Sequence, residues 1–361
     1  MSVSENKDIR IAVGLSGGVD SSVAALLLKE QGYDVTGVYL KCYEQDGEGC
    51  SSDEDRVSAV TVCSQLEIKF AYQNYTKQYK RSVIDYFFRE YKKGRTPNPD
   101  IICNTDIKFG LFLDWALENG FEYIATGHYA RVDKGKDGLY RLLKGHDPKK
   151  DQSYFLYRLD QKQLSKVMLP LADMTKEQVR KKAKEEGLKT HNRPDSQGIC
   201  FIGEIDVRKF LETKIKPKQG KVFHVNGEEI GTHDGVWFYT IGQRHGFEVT
   251  RYFGLPLYVV EKNVERNELI VGFAKDVLKK EFEVGDLHWV SGSEPSVLSE
   301  EGKMSCETRI RHLGKMHKAN LTKLDDGGLK VTMEDPSFGV APGQSAVFFK
   351  GKEVLGGGII F

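Results

Sequence analysis

The 361-residue chain has room for two or three domains, and its 53 Lys+Arg against 52 Asp+Glu leave it close to neutral as a whole. No apolar run reaches the roughly 18 residues of a membrane span, and segment 1–10 is short and polar, unlike a secretory signal. Six cysteines are too few for a disulfide scaffold and indicate a reducing, cytoplasmic setting in which transient redox chemistry stays open.

Strands are predicted at 9–14, 34–40, 68–72 and 122–126, and helices at 21–31, 53–65, 76–92 and 105–119. Such alternation predicts a parallel sheet wrapped by helices, with its ligand at the carboxyl ends of the strands. There the first strand runs into Gly14, Leu15, Ser16, Gly17, Gly18, Val19, Asp20 and Ser21. Gly17 and Gly18 permit a tight turn and a close backbone approach, and the helix that follows offers free N–H groups to an anion. A lone Gly-Gly reads as an ordinary capped turn. Six specified positions between a strand and an apolar helix read as a phosphate cradle. No Gly-Lys-Ser/Thr follows, so it is not a Walker loop, and Gly-x-Gly-x-x-Gly is absent too. Asp20 suits orienting the loop or holding Mg²⁺. Leu40, ending the second strand, suits an adenine contact or plain core packing, and Gly127 would allow a nucleotide close approach. Segment 44–55 carries six carboxylates and reads as a surface loop.

Residues 77–95 hold 7 Lys/Arg against 2 Asp/Glu, and residues 144–193 hold 13 against 7. Each run alone reads equally as a solvated helix face, but two beside a phosphate loop suit a polyanion such as RNA. Between them, Pro97 and Pro99 predict a stiff non-helical loop, with helix resuming near Asn104. Cys103 would then lie near a helix N-terminus, which favours thiolate, and Asp100 becomes an acid/base candidate. A basic helix is predicted at 175–187. Beyond it, Arg193 precedes a polar, turn-rich stretch leading to Cys200, where it too would favour thiolate. Cys42, Cys50, Cys63 and Cys306 read as small buried hydrophobes. No Cys-x-x-Cys occurs, so zinc and iron–sulfur readings are weak, and no metal is expected beyond Mg²⁺ with a nucleotide. His233, Asp234 and His245 read as turn residues. Short β segments at 220–225, 236–241, 257–262, 268–273, 345–349 and 354–361 predict small β-barrels, with boundaries near 205 and 280.

The loop resembles the PP-loop of ATP pyrophosphatases, which split ATP into AMP and pyrophosphate. With the two cysteine segments, the chain resembles the tRNA-specific 2-thiouridylases along most of its length. Thr126-Gly127-His128-Tyr129-Ala130-Arg131, Lys150-Asp151-Gln152-Ser153, Tyr239-Thr240-Ile241-Gly242-Gln243-Arg244 and Val340-Ala341-Pro342-Gly343-Gln344-Ser345 carry that likeness. Leu40 stands where the family often has Met, and His312 where it often has Tyr. The resemblance implies a Rossmann-like PP-loop domain over 1–205, a small central β-rich domain over 206–280 and a C-terminal β-barrel over 281–361. It implies ATP-dependent 2-thiolation of the wobble uridine of tRNA, with Lys, Glu and Gln acceptors, a cysteine desulfurase or sulfur-relay donor, and a reductant. Cys200 would carry a persulfide and Cys103 would be its partner, forming a transient Cys103–Cys200 disulfide. Asn98, Pro99 and Asp100 would meet the target base. His128, Lys150, Asp151, Gln152, Arg311, His312 and Gln344 would face the RNA. Another PP-loop synthetase, or a non-catalytic RNA-binding protein, remains the alternative.

Overall fold

A computed structural model describes residues 6–43, 51–195, 198, 206–250 and 254–361. The first sheet is parallel and contains β1 (Arg10–Leu15), β2 (Asp34–Lys41), β3 (Lys69–Asn74) and β4 (Tyr123–Ala125). Its order is β3–β2–β1–β4, and a short strand at Val167–Met168 lies outside β4. Alternate residues of β1 and β2 serve opposite faces. Ile11, Val13, Leu15, Val35 and Tyr39 pack under α1 (Val19–Glu30) and α2 (Ser51–Gln65). Ala12, Val38 and Leu40 pack against the helical stretches 76–92 and 99–118 on the other side. Burial on both faces is what makes these strands read as continuous apolar runs. Gly37 lets the layers close, because a Cβ there would stand 2.4 Å from the Cys63 sulfur. Burial pushes that thiol up to about 11, in keeping with a packing role.

The helix expected to resume near Asn104 instead begins at Pro99, with Asn98 as its cap. Proline is unsuited to a helix interior but suits its first position, where the missing N–H has no partner to lose. A wide π-helical segment, Cys103–Leu111, follows. The side-chain amide of Gln163 donates to the Thr105 and Phe109 carbonyls within it.

β5 (Ala130–Lys134) and β6 (Tyr140–Lys144) form a hairpin, and the short strand Val167–Met168 is β7. The second sheet holds β8 (Gly220–His224), β9 (Glu229–His233), β10 (Glu248–Val249), β11 (Tyr258–Asn263) and β12 (Glu268–Gly272). Residues 236–241, expected as strand, contain a 3₁₀ turn over Val236–Phe238. Asn267 accounts for this, since its side-chain carbonyl accepts the Val236 N–H at 3.0 Å and takes it out of any ladder.

The third sheet comprises β13 (Leu278–Trp289), β14 (Lys303–Arg309), β15 (His317–Lys323), β16 (Leu329–Phe338), β17 (Ser345–Lys350) and β18 (Glu353–Ile360). Pairing of β13 with β18 closes these six antiparallel strands into a barrel. Leu329, Val331 and Met333 alternate inward along β16. The β5–β6 hairpin, although it arises in the first part of the chain, extends this sheet through β6 and β18.

The barrel is also tied to the first part by a buried ion pair, Arg309 to Asp151 at 2.9 Å, with side chains 9% and 2% exposed. Asp151 further accepts the Gly145 and Ser153 N–H groups. Asp151→Asn leaves the Arg309 charge buried without a counter-ion and is expected to cost about 3–5 kcal/mol. A lowered urea midpoint would register this, and the double change Asp151→Asn/Arg309→Met should recover much of the loss.

Candidate active site

β1 ends at Leu15, and the chain turns through Ser16, Gly17 and Gly18 into α1, which begins at Val19, two residues earlier than expected. Gly17 has φ +78°, and a Cβ on it would stand 2.6 Å from the Asp55 carbonyl oxygen, so only glycine fits. The Gly17 carbonyl accepts from Ser58 at 2.8 Å and from the Arg193 guanidinium at 2.9 Å. Arg193 also pairs with Asp55 at 2.7 Å, so in this structure it braces the loop. Gly18 caps α1 without a side-chain hydrogen bond. Among the described residues a Cβ on it would meet only Ser16 Oγ at 3.4 Å, and the Ser21 and Ser22 hydroxyls return to its carbonyl. Among the described residues the first-turn N–H groups of α1 thus face a glycine-lined approach suited to an anion.

Gly127 follows β4 and lies against α1. A Cβ there would sit 2.7 Å from the Asp20 carbonyl carbon and the Ser21 nitrogen. The close approach that this glycine permits is therefore made by α1 itself. Leu40 is buried in the same apolar cluster as Cys103.

Asp20 sits in the first turn of α1 and binds partners that no local pattern announced. Lys176 Nζ lies 2.7 Å from each of its carboxylate oxygens, and the Tyr129 hydroxyl donates to one of them at 2.7 Å. Lys176 comes from a helix 156 residues further along the chain. Its ammonium also reaches Asp195 at 2.9 Å, and Lys150 and Arg180 converge on the same carboxylate. Burial opposes the Asp195 charge, but hydrogen bonds from Lys150 and Lys176 outweigh it and hold the carboxyl far below its usual range. Burial and the neighbouring Asp20 push the Tyr129 hydroxyl strongly upward, so it stays a donor. The glycine turn, the uncapped first turn and the nearby ammonium fit a nucleotide's phosphates. Mg²⁺ entering with the nucleotide would compete with Lys176 for Asp20.

The segment before Cys103 is clamped by the other two parts of the chain. Thr96 donates its N–H to the Pro342 carbonyl at 2.8 Å and its hydroxyl to Thr240 at 3.1 Å. The Gln344 side chain donates to the Thr96 and Pro97 carbonyls at 2.9 and 3.3 Å. Asn98 bonds through its side chain to Tyr154, whose hydroxyl donates to the Ser345 carbonyl at 2.9 Å. Pro99 is buried, and Asp100 is half-buried in the first helical turn. Cys103 is a fully buried thiol one turn further on, and its N–H is bonded within the helix to Pro99 and Asp100. Cys200 and the Cys103–Cys200 pairing lie outside the described residues, as do Cys50 and most of the acidic segment.

Most residues expected at the RNA face have internal partners here. His128 is buried, bonded to Thr126 at 2.8 Å, and burial drives its imidazole well below the ordinary histidine value. Lys150 pairs with Asp195, Asp151 with Arg309, and the Gln152 side chain accepts the Tyr129 N–H at 3.0 Å. His312 packs on Phe155 with ring centroids 4.3 Å apart. Arg311 is exposed. His233 accepts the Gly235 N–H at 3.0 Å and Asp234 pairs with Arg208, both being turn and loop contacts. Among the described residues no group of three or more His, Cys, Asp or Glu is arranged to hold a metal. No helix among them is long and apolar enough to cross a membrane.

Three family profiles tile the chain. They are described as a tRNA methyl transferase HUP domain (residues 9–204), a tRNA methyl transferase PRC-barrel domain (208–273) and an aminomethyltransferase beta-barrel domain (279–360). The tRNA-specific 2-thiouridylase MnmA 2 of Geobacillus kaustophilus is 47% identical over 98% of this chain and 95% of its own. The tRNA-specific 2-thiouridylase MnmA of Staphylococcus aureus is 44% identical over 98% and 96%. A 4-thiouridine synthetase solved in complex with RNA and bound ATP is a looser likeness. Its TM-score is 0.37 at 20% identity, over 57% of this chain and 50% of that one.

Burial pushes the His312 imidazole down to about 4 from 6.5. Between those values the unfolded chain takes up a proton that the folded chain refuses. The stability contribution is therefore complete above pH 6.5 and is lost as pH falls toward 4. His312→Gln is expected to keep a larger share of its neutral-pH stability at pH 5 than the wild type. Equal losses in thermal melts of the two would show that this histidine contributes nothing to the acid sensitivity.

Proposed function

The chain belongs to the tRNA-specific 2-thiouridylase family, and on that premise we propose that it replaces O2 of the wobble uridine (position 34) of tRNA with sulfur. It is a tRNA sulfurtransferase that uses ATP. The observation that carries this reading is the placement of one phosphate loop and one buried cysteine. The loop sits at the carboxyl end of β1, while Leu40, from the end of the neighbouring β2, and Cys103 belong to one buried apolar cluster.

A carbonyl oxygen is a poor leaving group, so it must first be activated. The uridine O2 attacks the α-phosphorus of ATP, pyrophosphate departs, and the base carries an adenylate. The glycine turn and first-turn N–H groups of α1 stabilise the departing charge, and Mg²⁺ neutralises the phosphates when bound. The outer sulfur of a Cys200 persulfide then attacks C2 and AMP leaves. The Cys103 thiolate attacks the Cys200 sulfur, the S–S bond to the base breaks toward the base, and a Cys103–Cys200 disulfide remains. A dithiol reductant returns both cysteines to thiols. Asp100, in the same helical turn sequence, takes or gives the proton. Asn98, Pro99 and Asp100 meet the extruded base, whose extrusion from an anticodon loop costs a few kcal/mol, roughly.

Residues 1–205 handle ATP and sulfur, 206–280 form the central part, and 281–361 form the RNA-contacting barrel. Arg311 is the direct phosphate contact. His128, Lys150, Asp151, Gln152, His312 and Gln344 act on the RNA through the loops they brace. The sulfur arrives from a cysteine desulfurase or a relay protein, in the cytoplasm, and tRNAs for Lys, Glu and Gln are the acceptors.

Incubation of unmodified tRNA with the protein, ATP, Mg²⁺, cysteine and a desulfurase should give tRNA with one oxygen exchanged for sulfur, read by mass spectrometry. Pyrophosphate release that needs no tRNA would instead indicate a small-molecule synthetase. Cys103→Ala should still accept labelled sulfur onto the protein while product formation collapses. Normal thiolation in that variant would remove Cys103 from the mechanism.

A further inference from the structure

The phosphate loop contains no lysine, yet the fold delivers one to it. We infer that Lys176 is the loop's phosphate cation, borne on a distant helix and held in readiness by Asp20 and Asp195. This deepens the proposed ATP chemistry and rests on that reading. Lys176 is the first residue of the helix Lys176–Glu185, capped by Thr175, and its N–H is fixed by Asp147 at 2.9 Å. Its side chain is 12% exposed, and the ammonium is 2.7 Å from both Asp20 oxygens and 2.9 Å from Asp195. Asp20 belongs to the first turn of α1, where the free N–H groups already favour an anion.

Position rather than net charge supports a phosphate role, since Asp147, which accepts the Lys176 N–H, joins Asp20 and Asp195 in balancing Lys176, Lys150 and Arg180. A phosphate reaches Lys176 by sharing its ammonium with Asp20 at an anion-seeking helix end. Lys176 holds Asp20 through two contacts, so it can turn one N–H to a phosphate oxygen and keep the ion pair with the other. Asp20 and Asp195 fix where that ammonium stands. In reaction terms, Lys176 stabilises the negative charge that grows on pyrophosphate as the bond to the α-phosphorus breaks. No proton need move, and no bond is made to the lysine.

Inorganic pyrophosphate is the probe, titrated calorimetrically into the full-length protein. Lys176→Gln should weaken its binding about tenfold or more, and Lys176→Arg should stay within about threefold of the wild type. In tRNA-dependent turnover, Lys176→Gln should lower kcat roughly 100-fold with a smaller change in KM for ATP. Equal losses in Gln and Arg variants, or no loss in either, would overturn the assignment. In the wild-type chain the lysine Nζ resonance that disappears in Lys176→Arg should shift on saturating pyrophosphate, and a resonance that stays fixed also overturns it. That measurement holds even if the Gln variant does not fold. Pyrophosphate binding that depends on Lys176 in a protein unable to thiolate tRNA would unseat the proposed function and leave the lysine's role standing. Thiolation with Lys176-independent pyrophosphate binding would do the reverse.

Discussion

The buried Asp151 carboxylate meets Arg309 at 2.9 Å and two backbone N–H groups, and the joining of the two halves depends on that set of partners. Around that pair, segment 145–153, the β5–β6 hairpin and β14 of the barrel become parts of one packed unit. Gln152, the next residue, holds the Tyr129 N–H, and the Tyr129 hydroxyl holds Asp20 in the phosphate loop. A short run of side chains thus leads from the barrel wall to the first turn of α1, at the carboxyl end of the parallel sheet. The ion pair forms only when the barrel seats on segment 145–153, so it fixes which surfaces of the two parts meet.

The Thr96 junction applies the same logic to the cysteine segment. A proline-flanked loop has few backbone donors of its own, so its position depends on what is brought to it. Here Pro342, Gln344 and Thr240 supply donors and acceptors from two other parts of the chain. The Gly94–Asn98 turn is therefore shaped by elements far away in sequence, and the helix starting at Pro99 inherits its direction from them. Residues that look like RNA contacts by their place in a motif have a prior task here, which is to hold the surface in one shape.

What the sequence disclosed and what it hid follow from the range of the forces involved. The parallel sheet was legible because strands buried on both faces leave apolar runs, and Gly17-Gly18 at the end of one marks the turn into α1. Of the barrel strands, 345–349 and 354–361 were legible as short β segments. Pro99 misled because one residue type both breaks helices and starts them, and only the capping geometry of Asn98 decides which. The turn at 236–238 depended on Asn267, and the Asp20 partner on Lys176, each a contact between residues with no shared local pattern. Cys103 and Asp100 were singled out as candidates from their type and neighbours, whereas the clamp on the segment before them was not legible.

The hairpin that extends the barrel has one more consequence, for the making of the chain rather than its working. Lys144 at the end of β6 bonds to Gly351, 207 residues further on. At about 5–20 residues per second, the ribosome needs roughly 10–40 s to supply that partner. Through that interval the outer edge of β6 stands as an open ladder, the kind of surface on which chains aggregate. Birth of this protein therefore includes a vulnerable pause. Arg141 and Lys144, charged residues on that strand, are suited to keeping the edge in water until the last strand of the barrel arrives.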